Sequence, residues 1–168
     1  MSLLEWEERA RQIDECGYLF VDSIREIEEL TLELMVTEAK SQRRNVAPAD
    51  SSSIEPIERD ATCRSFRLIF NRDQMVSYTV LNESYGKYPE SPEQFSGKLF
   101  RIFSWSHLLE FTKRTTYVSD ENPGVLQHYQ TVCLNHVVDV ICTGPPSITI
   151  GMASPENERK AGQADPTV

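Results

Sequence analysis

Cysteine, histidine and aspartate fall close together in the run Cys133-Leu134-Asn135-His136-Val137-Val138-Asp139. A thiol becomes a nucleophile when a nearby base such as imidazole takes its proton, and a carboxylate can orient that imidazole. Cys133, His136 and Asp139 are therefore the candidate catalytic residues. On a helix, residues three apart share a face. On a strand, Cys133 and His136 point to opposite sides, as do His136 and Asp139. The density of β-branched residues across 128–143 favours a strand bent near Asn135, with a helix as the alternative. The catalytic pairing depends on the less favoured element, so the expectation is a packed thiol and an internally hydrogen-bonded histidine.

Metal binding would have to recruit Cys133, His136, Cys142 and His128. Zinc needs three or four ligands that converge. On one continuous strand His128 and His136 would lie roughly 27 Å apart, so neither a metal nor a cofactor is expected. Trp105 and His107 sit where a strand passes into a helix, with Ser104 and Ser106 as candidate caps. Such junctions present backbone amides to anions. Arg101, Trp105 and His107 form a candidate ligand site if a cleft joins them to the Cys133–Asp139 segment. The simpler expectation is that the serines cap the helix and Trp105 fills core.

The remaining candidates are acidic. Lysine and arginine number 17 against 26 aspartates and glutamates, for a formal charge of −9. The excess is concentrated in residues 1–40, where Glu26, Glu28, Glu29, Glu33 and Glu38 form a candidate binding face. A field of this sign repels polyanions and attracts basic protein surfaces. The segment 63–118 is locally basic, with Arg64, Arg67, Arg72, Lys98 and Arg101 interleaved among aromatics. Aromatic platforms with basic neighbours can hold single-stranded nucleic acid, but no RNA-binding sheet motif is present and nucleic acid is not expected.

These residues need elements to position them. Ser2 and Glu5 have the capping-box spacing, and Leu3, Trp6, Ala10 and Ile13 follow at helical intervals. A helix over 2–16 follows, ended by Gly17 in a left-handed conformation. Residues 24–38 fit either period; a strand near 29–38 is the choice made here, although the residue types favour helix. Residues 41–62 read as a mobile loop. Phe66, Leu68 and Phe70, then Val76, Tyr78 and Val80, alternate about Asn71-Arg72-Asp73-Gln74, which predicts a β-hairpin over 64–81. A strand at 98–103, a helix at 105–115 with Trp105, Leu108, Leu109 and Phe111 on its buried stripe, and an edge strand at 148–150 complete the set. The tail 153–168 should be disordered.

The fold class is therefore α+β: a mainly antiparallel sheet with at least two packing helices, in a single domain over 1–152. The apolar runs are too short to cross a bilayer and no basic start precedes an apolar stretch. The four cysteines, without a Cys-x-x-Cys pair, read as reduced thiols of a cytoplasmic protein. No phosphate loop, dinucleotide fingerprint, zinc-protease helix, nucleophile elbow or EF-hand is present. The leading functional expectation is a non-enzymatic, acidic protein-binding module, an immunity or antitoxin-like inhibitor being one form. The alternative is a small enzyme or ligand-binding domain with a cleft near Trp105, His107 and Cys133–Asp139.

Overall fold

The computed structural model describes residues 2–41, 56–86 and 92–153. Helix α1 (Leu3–Asp14) begins with the expected capping box: the Ser2 hydroxyl accepts from the Glu5 N–H, and the Glu5 carboxylate accepts the Ser2 N–H at 2.9 Å. Trp6, Ala10 and Ile13 form its buried face. Gly17 does not adopt the expected positive φ. The Cys16 N–H instead bonds the Ile13 carbonyl at 3.2 Å, a tightened last turn that needs no left-handed residue.

The segment that fits two periods is an antiparallel hairpin, β1 (Tyr18–Glu28) and β2 (Thr31–Ser41). The single strand expected near 29–38 thus overlaps the turn and most of β2. Tertiary burial overrides helix propensity here: Leu32, Leu34 and Val36 are fully buried on one face of β2. Part of the expected 41–62 loop is also ordered pairing, since β3 (Ile57–Glu58) joins Lys40 and Ser41 at the end of β2. The rest of that loop, 42–55, and the tail from 154 lie outside the described residues.

β4 (Arg64–Phe70) has the expected alternation, whereas in β5 (Met75–Asn82) a bulge at Val76 breaks it. Tyr78 packs on the main core, Val76 against Leu109 and Ile141, and Val80 is exposed. The two strands do not pair with each other. β4 lies between β2 and β10 (Ser147–Met152), giving a first sheet β1-β2-β4-β10 with β3 on β2. β5 pairs with β9 (His136–Cys142) in a second sheet, β5-β9-β8-β7-β6. Its other members are β6 (Gln94–Ser96), β7 (Phe100–Trp105) and β8 (Gln127–Val132). The Asn71–Gln74 turn therefore carries the chain from one sheet to the other. Both sheets are antiparallel. The run 128–143 is likewise a hairpin of β8 and β9 rather than one bent strand, with Cys133, Leu134 and Asn135 as its turn.

The inner faces meet in one core. Phe66, Leu68 and Phe70 from the first sheet join Phe100, Tyr129, Val138 and Val140 from the second, and Trp6 and Ile13 of α1 pack into the same cluster. The α+β expectation holds, with two helices and ten strands among the described residues and sheet predominating. No helix among them is long and apolar enough to cross a membrane.

Side chains from neighbouring elements close the edges of the first sheet. The Trp6 indole N–H donates to the Pro146 carbonyl at 2.8 Å, and Arg9 donates to the carbonyl of Ile148 on β10. At the opposite edge, Asn135 and Leu134 of the β8–β9 turn bond to β1. Such capping removes backbone donors and acceptors that would otherwise template another strand. Asp14, at the end of α1, accepts the N–H groups of Lys98, Leu99 and Phe100 at 2.9, 2.8 and 2.8 Å, tying α1 to the start of β7. Gly97 makes this approach possible: its φ is +89°, and a Cβ there would lie 2.1 Å from the Phe100 carbonyl oxygen.

Candidate functional site

The five acidic candidates divide into two groups. Glu26, Glu28 and Glu29 are exposed at the closed end of the β1–β2 hairpin. Between and beside them stand Ile27 and Leu30, 38% and 46% exposed. Leu30 has φ +58°, in the left-handed region where an L-residue with a large side chain is unfavourable. Glycine or asparagine would make this turn at less cost. Glu29 pairs with Arg72 at 3.0 Å, and Glu26 accepts a long 3.5 Å bond from the Tyr78 hydroxyl.

Glu33 and Glu38 are not part of an open acidic face, which corrects that expectation. Glu33 points away from the core, yet is 1% exposed because Arg25 and Arg67 from the flanking strands close over its carboxylate. Burial alone would raise its pKa. Hydrogen bonds from Arg67 and Arg25 outweigh that and hold it below the ordinary 4.5. Glu38, 6% exposed, accepts from the backbone and side chain of Arg64, which likewise overcome burial and lower its pKa. Strand alternation places Glu33 on the outer face, whereas Glu38 is in register with Leu32, Leu34 and Val36 at the end of the core-facing row, where it meets Arg64. In both cases only a neighbouring strand supplies the covering arginine.

The catalytic candidates are dispersed. Cys133 lies in the core, 2% exposed, and burial pushes its thiol pKa well upward, away from the thiolate a nucleophile requires. Its backbone N–H bonds the His136 carbonyl at 2.9 Å, closing the turn between β8 and β9. His136 is on the core-facing side of β9 with Val138 and Val140, whereas Asp139 faces outward to His128. Opposite faces separate the imidazole from the carboxylate, as strand geometry requires. Nδ1 of His136 is buried without a hydrogen-bond partner among the described residues, so the expected internal bond is missing at that atom.

Arg101, Trp105 and His107 are spread along the second sheet relative to the Cys133–Asp139 segment: Arg101 reaches Asp139 through Gln130, whereas Trp105 is far from Cys133. Phe100 is opposite Thr131 and Phe103 opposite His128. Cys133 thus lies beyond one end of the β7–β8 pair and Trp105 beyond the other, roughly 20 Å apart by strand rise. Arg101 donates to Gln130 at 3.0 Å and covers the Phe95 ring, while Trp105 meets His107 edge to face. Helix α2 (His107–Thr115) is capped by Ser106, whose hydroxyl accepts the Leu109 N–H at 3.1 Å. Glu93 accepts the His107 N–H at 2.8 Å, so a carboxylate of the chain itself already bonds one of the helix's first amides. Phe111, expected on the buried stripe, is 62% exposed; Leu109 and Thr112 form the buried side instead.

One polar constellation escaped the sequence reading. His128 Nδ1 is 2.8 Å from the Ser106 hydroxyl and its Nε2 is 2.9 Å from Asp139 Oδ1. With the proton on Nε2, the imidazole donates to Asp139 and accepts from Ser106, while Ser106 accepts from Leu109. Every group is then satisfied. Ser106 is fully buried and His128 is 2% exposed, stacked on Phe103. The resemblance to a hydrolase triad is one of atom types only: the serine oxygen caps a helix and is closed to substrate. Its work is to fasten α2 to the second sheet. The available signal was polarity at His128 and Asp139 within strands otherwise rich in apolar residues.

All four cysteines are free and buried. Burial pushes the Cys16 and Cys142 thiols up to about 12. No cluster of three or more metal-binding side chains occurs among the described residues. Comparison with known proteins finds no matching family model, no similar curated protein and no similar solved structure.

Proposed function

We propose that the protein is a binding module that docks a basic protein surface against the closed end of the β1–β2 hairpin. The observation that carries this reading is Leu30: an exposed leucine held at φ +58°, next to exposed Ile27 and among Glu26, Glu28 and Glu29. The turn accepts both an unfavourable backbone conformation and exposed apolar surface, a combination that serves a contact rather than the hairpin. Three carboxylates around two apolar side chains suit a partner with a small apolar recess rimmed by lysine or arginine. An immunity or antitoxin-like inhibitor of a basic protein is one form of this function.

The test is affinity capture from the native cell extract at low and high salt, using three versions of the full chain. They are the wild type, a charge-reversed variant (Glu26→Lys, Glu28→Lys, Glu29→Lys) and Leu30→Gly. The wild type should retain a stoichiometric basic protein at low salt and lose it at high salt. Both variants should lose it, while Leu30→Gly melts at or above the wild-type temperature because glycine relieves the turn. Equal capture by all three versions, or no stoichiometric partner, overturns the proposal.

A further inference from the structure

The outer face of the first sheet contains a cleft of about 650 Å³, away from the hairpin end, that the preceding proposal does not use. Its floor is the buried carboxylate of Glu33 on β2. Arg25 Nε on β1 donates to one oxygen at 2.6 Å, and Arg67 Nε on β4 donates to the other. Farther along the cleft, Asp22 at a β-bulge accepts from Arg59 and from the Thr37 hydroxyl. The Arg59 guanidinium lies over the Phe20 ring, 4.9 Å from its centre.

Three guanidinium groups therefore face two carboxylates. One arginine is enough to neutralise Glu33, and the second leaves a unit of positive charge at the cleft in a protein whose overall charge is −9. Donor capacity is also in excess. Both terminal nitrogens of Arg67, Nη1 of Arg25 and Nη2 of Arg59 have no acceptor among the described residues. The side chains of Arg25 and Arg67 are 65% and 43% exposed, so these nitrogens are open to a ligand while Glu33 holds their inner ends in place. A pre-positioned planar fork of donors recognises a planar oxyanion.

We infer that this cleft binds a small organic carboxylate, its carboxyl group on Arg25 and Arg67 and its apolar body on Phe20 and Met35. The charge selects a monoanion: a single carboxylate balances the surplus, whereas a phosphate dianion overshoots it. The volume selects a molecule rather than an ion, being within the range of small-molecule sites. At physiological ionic strength the chain's other negative charges are screened over about 8 Å, so the local surplus governs the final contact.

The experiment is a titration of the ¹⁵N-labelled full-length chain with benzoate, phenyl phosphate and benzyl alcohol, following backbone amides and arginine Nε–H signals. Benzoate should shift the Arg25 and Arg67 Nε–H signals and the amides of β1, β2 and β4. Benzyl alcohol should not, and phenyl phosphate should bind more weakly than benzoate. Arg67→Gln, which leaves Arg25 to neutralise Glu33, should weaken benzoate binding about tenfold, and Arg25→Gln comparably. Arg67→Lys should fail to restore it, because an ammonium lacks the fork. Absence of benzoate shifts at these residues, unchanged affinity in both glutamine variants, or tighter binding of phenyl phosphate overturns the inference.

Discussion

Asn135 bonds both backbone groups of Val21: its amide oxygen accepts the Val21 N–H at 2.9 Å and its amide nitrogen donates to the Val21 carbonyl at 3.0 Å. One side chain thus takes the place of a paired residue at the free edge of β1. The neighbouring Leu134 N–H continues this pairing by donating to the Leu19 carbonyl at 2.8 Å. The turn of one sheet is thereby fastened to the edge of the other, with Cys133 packed in the core beside it.

Asn135→Ala should destabilise the protein by about 1–3 kcal/mol through the loss of two part-buried hydrogen bonds. It should also uncover a strand edge able to pair with another chain. Urea denaturation measures the first effect and size-exclusion chromatography over a concentration series the second. A variant as stable and as monodisperse as the wild type would show that the contact does not seal the edge.

The depressed pKa values of Glu33 and Glu38 make stability sensitive to acid. A carboxylate whose pKa is lower in the folded chain contributes fully above its unfolded value, here near 4.5, and that contribution is lost as pH falls further toward the folded value. Glu33→Gln should cost about 1–3 kcal/mol at pH 6, a value discounted because both arginines remain partly exposed. The gap between wild type and variant should narrow from pH 6 to pH 3 in thermal melts. A gap independent of pH would mean that ionisation of Glu33 is not what the arginines stabilise.

Ser106→Ala removes a helix cap and the partner of His128 Nδ1 in one step. The expected loss is about 1–2 kcal/mol, accompanied by faster amide exchange at the start of α2 and unchanged exchange in β2 and β4. Uniformly faster exchange throughout the chain would contradict a local fastening role for the Ser106–His128–Asp139 relay.

Several features were legible because their causes are local. The Ser2–Glu5 capping box and the Ser106 cap each satisfy helix amides within three residues, so residue type and spacing suffice. The alternation of Phe66, Leu68 and Phe70 identified a strand because side chains on a strand change sides at every residue. The choice of strand partner is different: β4 and β5 look like the two arms of a hairpin, yet the turn at Asn71–Gln74 sends them to separate sheets. Hairpin and crossover place the same apolar residues inward, so the pattern cannot distinguish them.

The candidate sites were hidden for the same reason. Alternation put Glu33 on the solvent side of β2 and Glu38 in register with the apolar row, while sequence proximity grouped both with Glu26, Glu28 and Glu29. Arg67 is 34 residues from Glu33 and Arg64 is 26 from Glu38, separations that carry no periodic signal. Sequence by itself determined the charge, the capped helices and which strand residues could enter a core. Only the tertiary structure decided which glutamates meet water and which meet arginine, because that depends on the order of strands in the sheet, and strand order is set by long-range packing rather than by neighbours along the chain.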